Sequence, residues 1–172
     1  MPDESVDIIN EKDEVLYQTS KKEAHEKGLL HRCAIGFIKD SRNNWILVKQ
    51  ARGRQDAGQY VAPVGGHIMA GESSENALQR EALEEVGLSN FKHKHVGQFI
   101  FNRFVLNRQE NHYFIVYEIY TDNALVLNHE SEDYRAFTQE ELCHELAHNP
   151  KLFGNITHFE IKTIYPQLLG LK

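Results

Sequence analysis

Two cysteines and four prolines are all that 172 residues offer of either type. Cys33 and Cys143 are far apart and lack metal-type spacing, which excludes a disulfide framework and predicts reduced thiols. With few prolines, no low-complexity tract and no internal repeat, a domain boundary has nothing to sit on, so one domain over 1–172 is expected. Basic residues are outnumbered, 19 against 25 acidic, for a net charge of −6. That excludes a nonspecific binder of nucleic-acid polymers, which needs a basic footprint. It leaves room for a small anionic substrate, because a bound divalent cation reverses the local field. No apolar run nears the length of a membrane span, so no membrane partner is expected. The acidic start "MPDESVDIIN" lacks the basic-then-apolar pattern of a secretory signal, and a cytoplasmic location is the expectation.

What is present is ordinary globular usage, 41% hydrophobic and 26% charged, with enough chain for a real core. "VDIINEKDEVLYQTS" reads as two extended runs around a charged turn, Asn10 to Asp13. "SKKE", Ser20 to Glu23, is a capping-box pattern opening a short helix that Gly28 closes. "CAIGFI" and "WILVKQA" are β-type runs joined by "KDSRNN". The glycine loop "APVGGHIMAGE" leads to a helix from about Ser73 to Val86, ended by Gly87. "VGQFIFNRFVL" and "NHYFIVYEIY" read as a hairpin around "NRQE". Two further helices are predicted, one capped by Thr138 with Glu141, the other starting at Thr157 with Glu160. Interleaved strands and helices without regular βαβ spacing favour an α/β fold, a mixed sheet flanked by helices.

Within "REALEEVG", Glu81, Glu84 and Glu85 fall at i, i+3 and i+4, on one helical face. Leu78, Ala82 and Val86 form an apolar stripe on another. Three ionised carboxylates on one stripe repel, and at least one pKa is pushed upward. A divalent cation turns that repulsion into a binding site, and oxygen-only ligands select Mg²⁺ or Mn²⁺ over zinc. Gly65 and Gly66 let backbone approach closely, so a carbonyl there is a candidate further ligand. Glu72 reads as an acceptor for Arg80, fixing the loop against the helix.

Gly66, Glu72, Arg80, Glu81, Glu84, Glu85 and Gly87, with apolar Ala82 and Leu88, fill the pattern G-x5-E-x7-R-E-U-x-E-E-x-G-U, U being apolar. This resembles the Nudix box, and at this composition the seven fixed matches arise by chance on the order of once in 10⁸ starting positions. The resemblance implies a Nudix-type α/β/α sandwich and hydrolysis of a pyrophosphate bond in a nucleoside diphosphate-linked or other small diphosphate compound. It implies metal held by Glu81, Glu84 and Glu85, with the Gly65 carbonyl, and Gly66, Glu72, Arg80 and Gly87 as the structural frame. The general base varies among members. It matches Glu81 or lies in a loop after the sheet, where this chain has Glu130 and Glu132.

Outside the box, "EAHEKGLLHR", "VGGHIMAGES" and "NHESEDYRAFTQEEL" are similar to the isopentenyl diphosphate isomerases, a divergent Nudix branch. That similarity implies a second divalent metal site at His25, His31, His67 and Glu110. His112 stands where the isomerases have a glutamate. Histidine ligands suit Zn²⁺ or Mn²⁺. Ordinary sheet-edge histidines are the competing reading. Two departures argue against isomerase activity: Gly65 stands where the isomerases carry a catalytic cysteine, with Cys33 and Cys143 elsewhere in the sequence, and this box is complete.

Arg52 and Arg54, in "KQARGRQ", are candidates to grip substrate phosphates. "HELAH", His144 to His148, matches the zinc-protease pattern, but two histidines and Glu145 on a helix arise by chance roughly once in sixteen such chains. The leading expectation is a metal-dependent hydrolase. An isomerase-like enzyme and a non-catalytic nucleotide-sensing module are the alternatives. Neither the leaving group nor the oligomeric state is read from these motifs.

Overall fold

The structure, a computed structural model, describes residues 4–170. A hairpin of β1 (Ser5–Ile9) and β2 (Val15–Ser20) opens it. Its turn is built by Asn10, whose Oδ1 accepts the N–H groups of Lys12 (2.9 Å) and Glu14 (3.1 Å). Ser20 caps α1 (Lys21–Glu26) by accepting the Glu23 N–H, 3.1 Å. Only that half of the expected capping box forms. The Glu23 carboxylate is taken instead by the Thr19 hydroxyl and Lys27.

The sheet is built around β3 (His31–Lys39), which pairs with β1, β4 (Trp45–Gln50), β6 (Val64–His67) and, in parallel, β8 (Arg108–Tyr120). A strand covered on both faces needs a nearly continuous apolar run, and Cys33 to Ile38 are all buried. Its side chains alternate between two cores. Cys33, Ile35 and Phe37 join the core beneath α3 (Gln139–His148) and α4 (Asn155–Ile164). Ala34 and Ile38 join the opposite core, with Leu78, Ala82 and Val86 of α2 (Ser74–Val86). Helices on both faces of a mixed sheet make the expected α/β/α sandwich.

The remaining strands are β5 (Tyr60–Val61), β7 (Lys92–Val105) and β9 (Ser131–Phe137). The β7–β8 hairpin forms as anticipated, but its turn is Leu106–Asn107, upstream of most of "NRQE". Both turn residues have positive φ, 50° and 59°, the twist a two-residue hairpin requires. Glu110 is thereby a strand residue. The segment around "DYRAF" is also a strand, paired with β4, so Glu132 lies in β9 and not in a loop. The Thr138–Glu141 capping box is complete, both bonds being present. The last helix starts earlier than Thr157, after Gly154. Thr157 is buried, and its hydroxyl points to the Tyr60 carbonyl, 3.4 Å, in place of capping.

The helix that carries the acids is held by its apolar stripe, and Leu78 is fully buried. Leu78→Ala should cost about 2–5 kcal/mol, read as a lower urea midpoint with an unchanged slope. A loss below 1 kcal/mol would show that α2 is anchored by something else.

Candidate functional site

Ser73 opens α2 by accepting the Asn76 N–H, 3.1 Å, and Gly87 closes it in the left-handed region, φ 67°. Between these caps Arg80 ties the helix to the glycine loop. Its Nε and Nη2 donate to the two Glu72 oxygens at 3.1 and 2.9 Å. Nη2 also donates to the His67 carbonyl at 3.0 Å, and Nη1 to Glu81 at 2.6 Å. Glu72 in turn accepts the Met69 N–H, 2.9 Å, so the loop is closed on itself as the sequence suggests. A Cβ at Gly66 would lie 2.0 Å from the Glu81 carboxyl carbon, so any side chain there would displace that carboxylate.

The three stripe glutamates differ in surroundings. Glu85 accepts the Gly65 N–H at 2.7 Å, and burial pushes its carboxyl up to about 8 against that hydrogen bond. Burial raises Glu81 as well, opposed by Arg80. Glu84 is open to solvent, its side chain 59% exposed, with Arg80 no nearer than 4.0 Å. Glu81 and Glu85 are tethered separately while Glu84 is not, and the three are not drawn to mutual ligand spacing. Among the described residues, one group of three or more His, Cys, Asp or Glu side chains has that spacing, and it is histidine.

His25, His31, His67 and His112 place one ring nitrogen each within 4.8 Å of the others. Sheet register explains the convergence. His31 pairs with His112 across β3–β8, and Cys33 with His67 across β3–β6. The short helix α1 brings His25 over them, its Nε2 3.3 Å from His112 Nε2 and 3.2 Å from His67 Nε2. His31 Nδ1 lies 2.7 Å from the Leu29 carbonyl, and its buried Nε2 has no partner among the described residues. Burial lowers the proton affinity of all four, His25 to about 4, and neighbouring imidazoles add to this at His25, His67 and His112, so the rings are neutral. Glu110 does not join them. Both its oxygens are occupied, by Gln55 (2.9 Å), Arg103 (2.9 Å) and Arg108 (2.6 Å).

The three glutamates and three of the histidines, His25, His67 and His112, line one cleft of about 510 Å³, together with Gly65, Arg54 and Glu130, while His31 lies buried behind them. Arg54 and Glu130, read separately as phosphate grip and base, form an ion pair with each other. Arg52 is exposed and outside the lining, and Glu132 is held by Lys49 at 3.0 Å, also outside it. Cys33 lines the cleft, so a thiol is available in space though distant in sequence, against the expectation. Burial holds that thiol protonated. "HELAH" remains a surface feature: His144 and His148 stack at 4.2 Å, and Glu145 accepts from Asn149.

Cys33, Gln55, Asp56, Arg103, Arg108 and Glu160 line the cleft without having been singled out as site residues. The signal for Cys33 was present: it stands two residues after His31 on one strand, hence on the same face. The others depend on pairings no local pattern carries.

A NUDIX-domain sequence model matches residues 29–158. The chain belongs to the Nudix family. It is 38% identical over 93 residues, 51% of its length and 49% of the relative's, to the uncharacterized Nudix hydrolase SCO1686 of Streptomyces coelicolor. It is 31% identical over 106 residues, 61% of its length and 59% of the relative's, to isopentenyl-diphosphate Delta-isomerase 2 of Photorhabdus laumondii. The chain spans about half the length of the curated relatives it matches. The crystal structure of DR0079 from Deinococcus radiodurans has the same fold, with a TM-score of 0.73 at 20% identity over 94% of this chain and 99% of that one. The Nudix box and the histidine cluster thus share one cleft in a Nudix fold. No helix of the described residues is long and apolar enough to cross a membrane.

Glu160 generates a pH prediction. It is fully buried, facing Asp56 and Arg103, and burial raises its carboxyl to about 8 from an ordinary 4.5. Folded protein therefore keeps a proton that unfolded protein releases above pH 4.5. The stability this adds is complete below pH 4.5 and lost as pH rises through about 8. Glu160→Gln should flatten the decline, leaving the variant more stable than the parent at pH 9 by a few kcal/mol in urea melts. Equal pH slopes would contradict the assignment.

Proposed function

We propose that this protein is a metal-dependent Nudix pyrophosphohydrolase, cleaving the diphosphate bond of a nucleoside diphosphate-linked or other small diphosphate compound by attack of water on phosphorus. The observation that carries this reading is the pair of carboxylates, Glu81 and Glu85, whose burial raises their proton affinity while they face an open cleft beside solvent-exposed Glu84. Groups that resist ionising alone are stabilised by a cation, and all-oxygen donors fit Mg²⁺ or Mn²⁺. Glu81, Glu84 and Glu85, with the Gly65 backbone beside them, would hold it. Such a cation, when bound, neutralises phosphate oxygens and makes water a better nucleophile.

The rest falls to this chain's own side chains. Arg54 is a charge-assisted donor at the cleft wall suited to a phosphate oxygen, and its release from Glu130 frees that carboxylate to accept a proton from water. Glu81 is the alternative base, because its proton affinity is raised. Arg80 positions Glu81. The same reading treats 1–172 as one domain, residues 1–30 being an extension that supplies His25.

The histidine cluster supports a second divalent site. Four neutral imidazoles, one with an unpartnered buried nitrogen, suit Zn²⁺ better than Mg²⁺. Cys33 in the cleft gives the isomerase-like reading a thiol. The unbroken acid stripe favours hydrolysis.

Glu85→Gln and Glu84→Gln should each lower Mg²⁺- or Mn²⁺-dependent turnover on a panel of diphosphate compounds about 100-fold or more, with little change in thermal stability. Full turnover in either would remove the stripe from the chemistry. The histidine site should bind one equivalent of Zn²⁺ in calorimetry. That binding should persist in Glu85→Gln and be lost in His67→Ala. Loss in Glu85→Gln alone would merge the two sites into one.

A further inference from the structure

The cleft lining includes four apolar side chains, Ile35, Val61, Phe114 and Ile156, that neither the acid stripe nor the histidines explain, and Glu160 of α4 lines the cleft as well. Glu160 is 1% exposed, one helical turn after Ile156 and on the same side of the helix. Its Oε2 has no hydrogen-bond partner among the described residues. The nearby cation is already committed: Arg103 donates to Glu110 at 2.9 Å and lies 3.5 Å from Asp56.

An acid in this position costs stability. An unpartnered buried polar group destabilises the fold, and a leucine there would leave no polar atom unpaired. Such a group is satisfied when a ligand brings the missing partner. A site built around a buried hydrogen-bonding group also rejects analogues that lack the partner, far more strongly than an apolar pocket rejects an added methylene.

We propose that Glu160 is a specificity residue that accepts a hydrogen bond from a hydroxyl or amine on the organic moiety of the substrate. The substrate class is then a compact diphosphate ester carrying one such donor, and a plain hydrocarbon chain is disfavoured. This rests on the acid stripe being the diphosphate site.

The test uses n-butyl diphosphate and its ω-hydroxy and ω-amino derivatives. Binding to the full chain is measured by calorimetry with Ca²⁺ in place of Mg²⁺, and phosphate release is followed separately in Mg²⁺ and Mn²⁺. At least one donor-bearing derivative should bind about tenfold tighter than the butyl compound or better. Glu160→Leu should erase that preference, and Glu160→Gln, which keeps an acceptor, should retain part of it. Equal affinity across the series, a preference surviving in Glu160→Leu, or no binding by any member would each overturn the proposal. Should Glu160→Leu fail to fold, the wild-type series decides alone. A binding preference without phosphate release would defeat the hydrolase reading and leave this one standing. Release without preference would do the reverse.

Discussion

Arg80 makes four hydrogen bonds, to both oxygens of Glu72, to Glu81 and to the His67 carbonyl, and the geometry of the cleft depends on them. The bond to Glu81 sets one member of the acid stripe. The bond to the backbone of His67 fixes the end of β6, from which that imidazole reaches the histidine cluster. One half-buried guanidinium therefore positions two sites of different chemistry. The fork shape matters, because a lysine could meet one of these acceptors well but not the planar set. Gly66 then allows the strand to pass directly over the Glu81 carboxylate.

The two clusters divide ligand chemistry by fold position. Acids project from a helix face, one of them out to solvent, where a hard cation can keep its waters. Three imidazoles project from paired strands and His25 from α1 into a buried space, where burial keeps them neutral. Beside them Arg80 is paired with Glu72 and Glu81, and Glu110 with Arg103 and Arg108. Glu110 is better described as the counter-ion of those arginines than as a metal ligand.

Local patterns made half of this legible in advance. The caps of α2, its apolar stripe, the Glu72–Arg80 link and a mixed sheet flanked by helices follow from spacing along the chain, and the α/β/α sandwich from the resemblance to the Nudix box. The histidines were legible only through likeness to a family branch, since their meeting depends on sheet register. Three other features were misread, two of them for the same reason. Cys33 is remote in sequence from Gly65, yet β3–β6 pairing places Ile35 opposite Gly65 and the thiol in the cleft. Glu132 was placed in a loop because the strand-forming partner of its segment, β4, lies far upstream. The last helix was started at Thr157 because a capping signature says nothing of burial, and here Thr157 is inside.

The central claim is that the intact acid stripe directs water to phosphorus. It is tested most directly by running the reaction on a panel of diphosphate compounds, isopentenyl diphosphate included, in ¹⁸O-labelled, deuterated water with Mg²⁺ or Mn²⁺. The account predicts ¹⁸O in a released phosphate or monophosphate and no deuterium in the carbon skeleton. Deuterium incorporated into isopentenyl diphosphate without any phosphate release would contradict it.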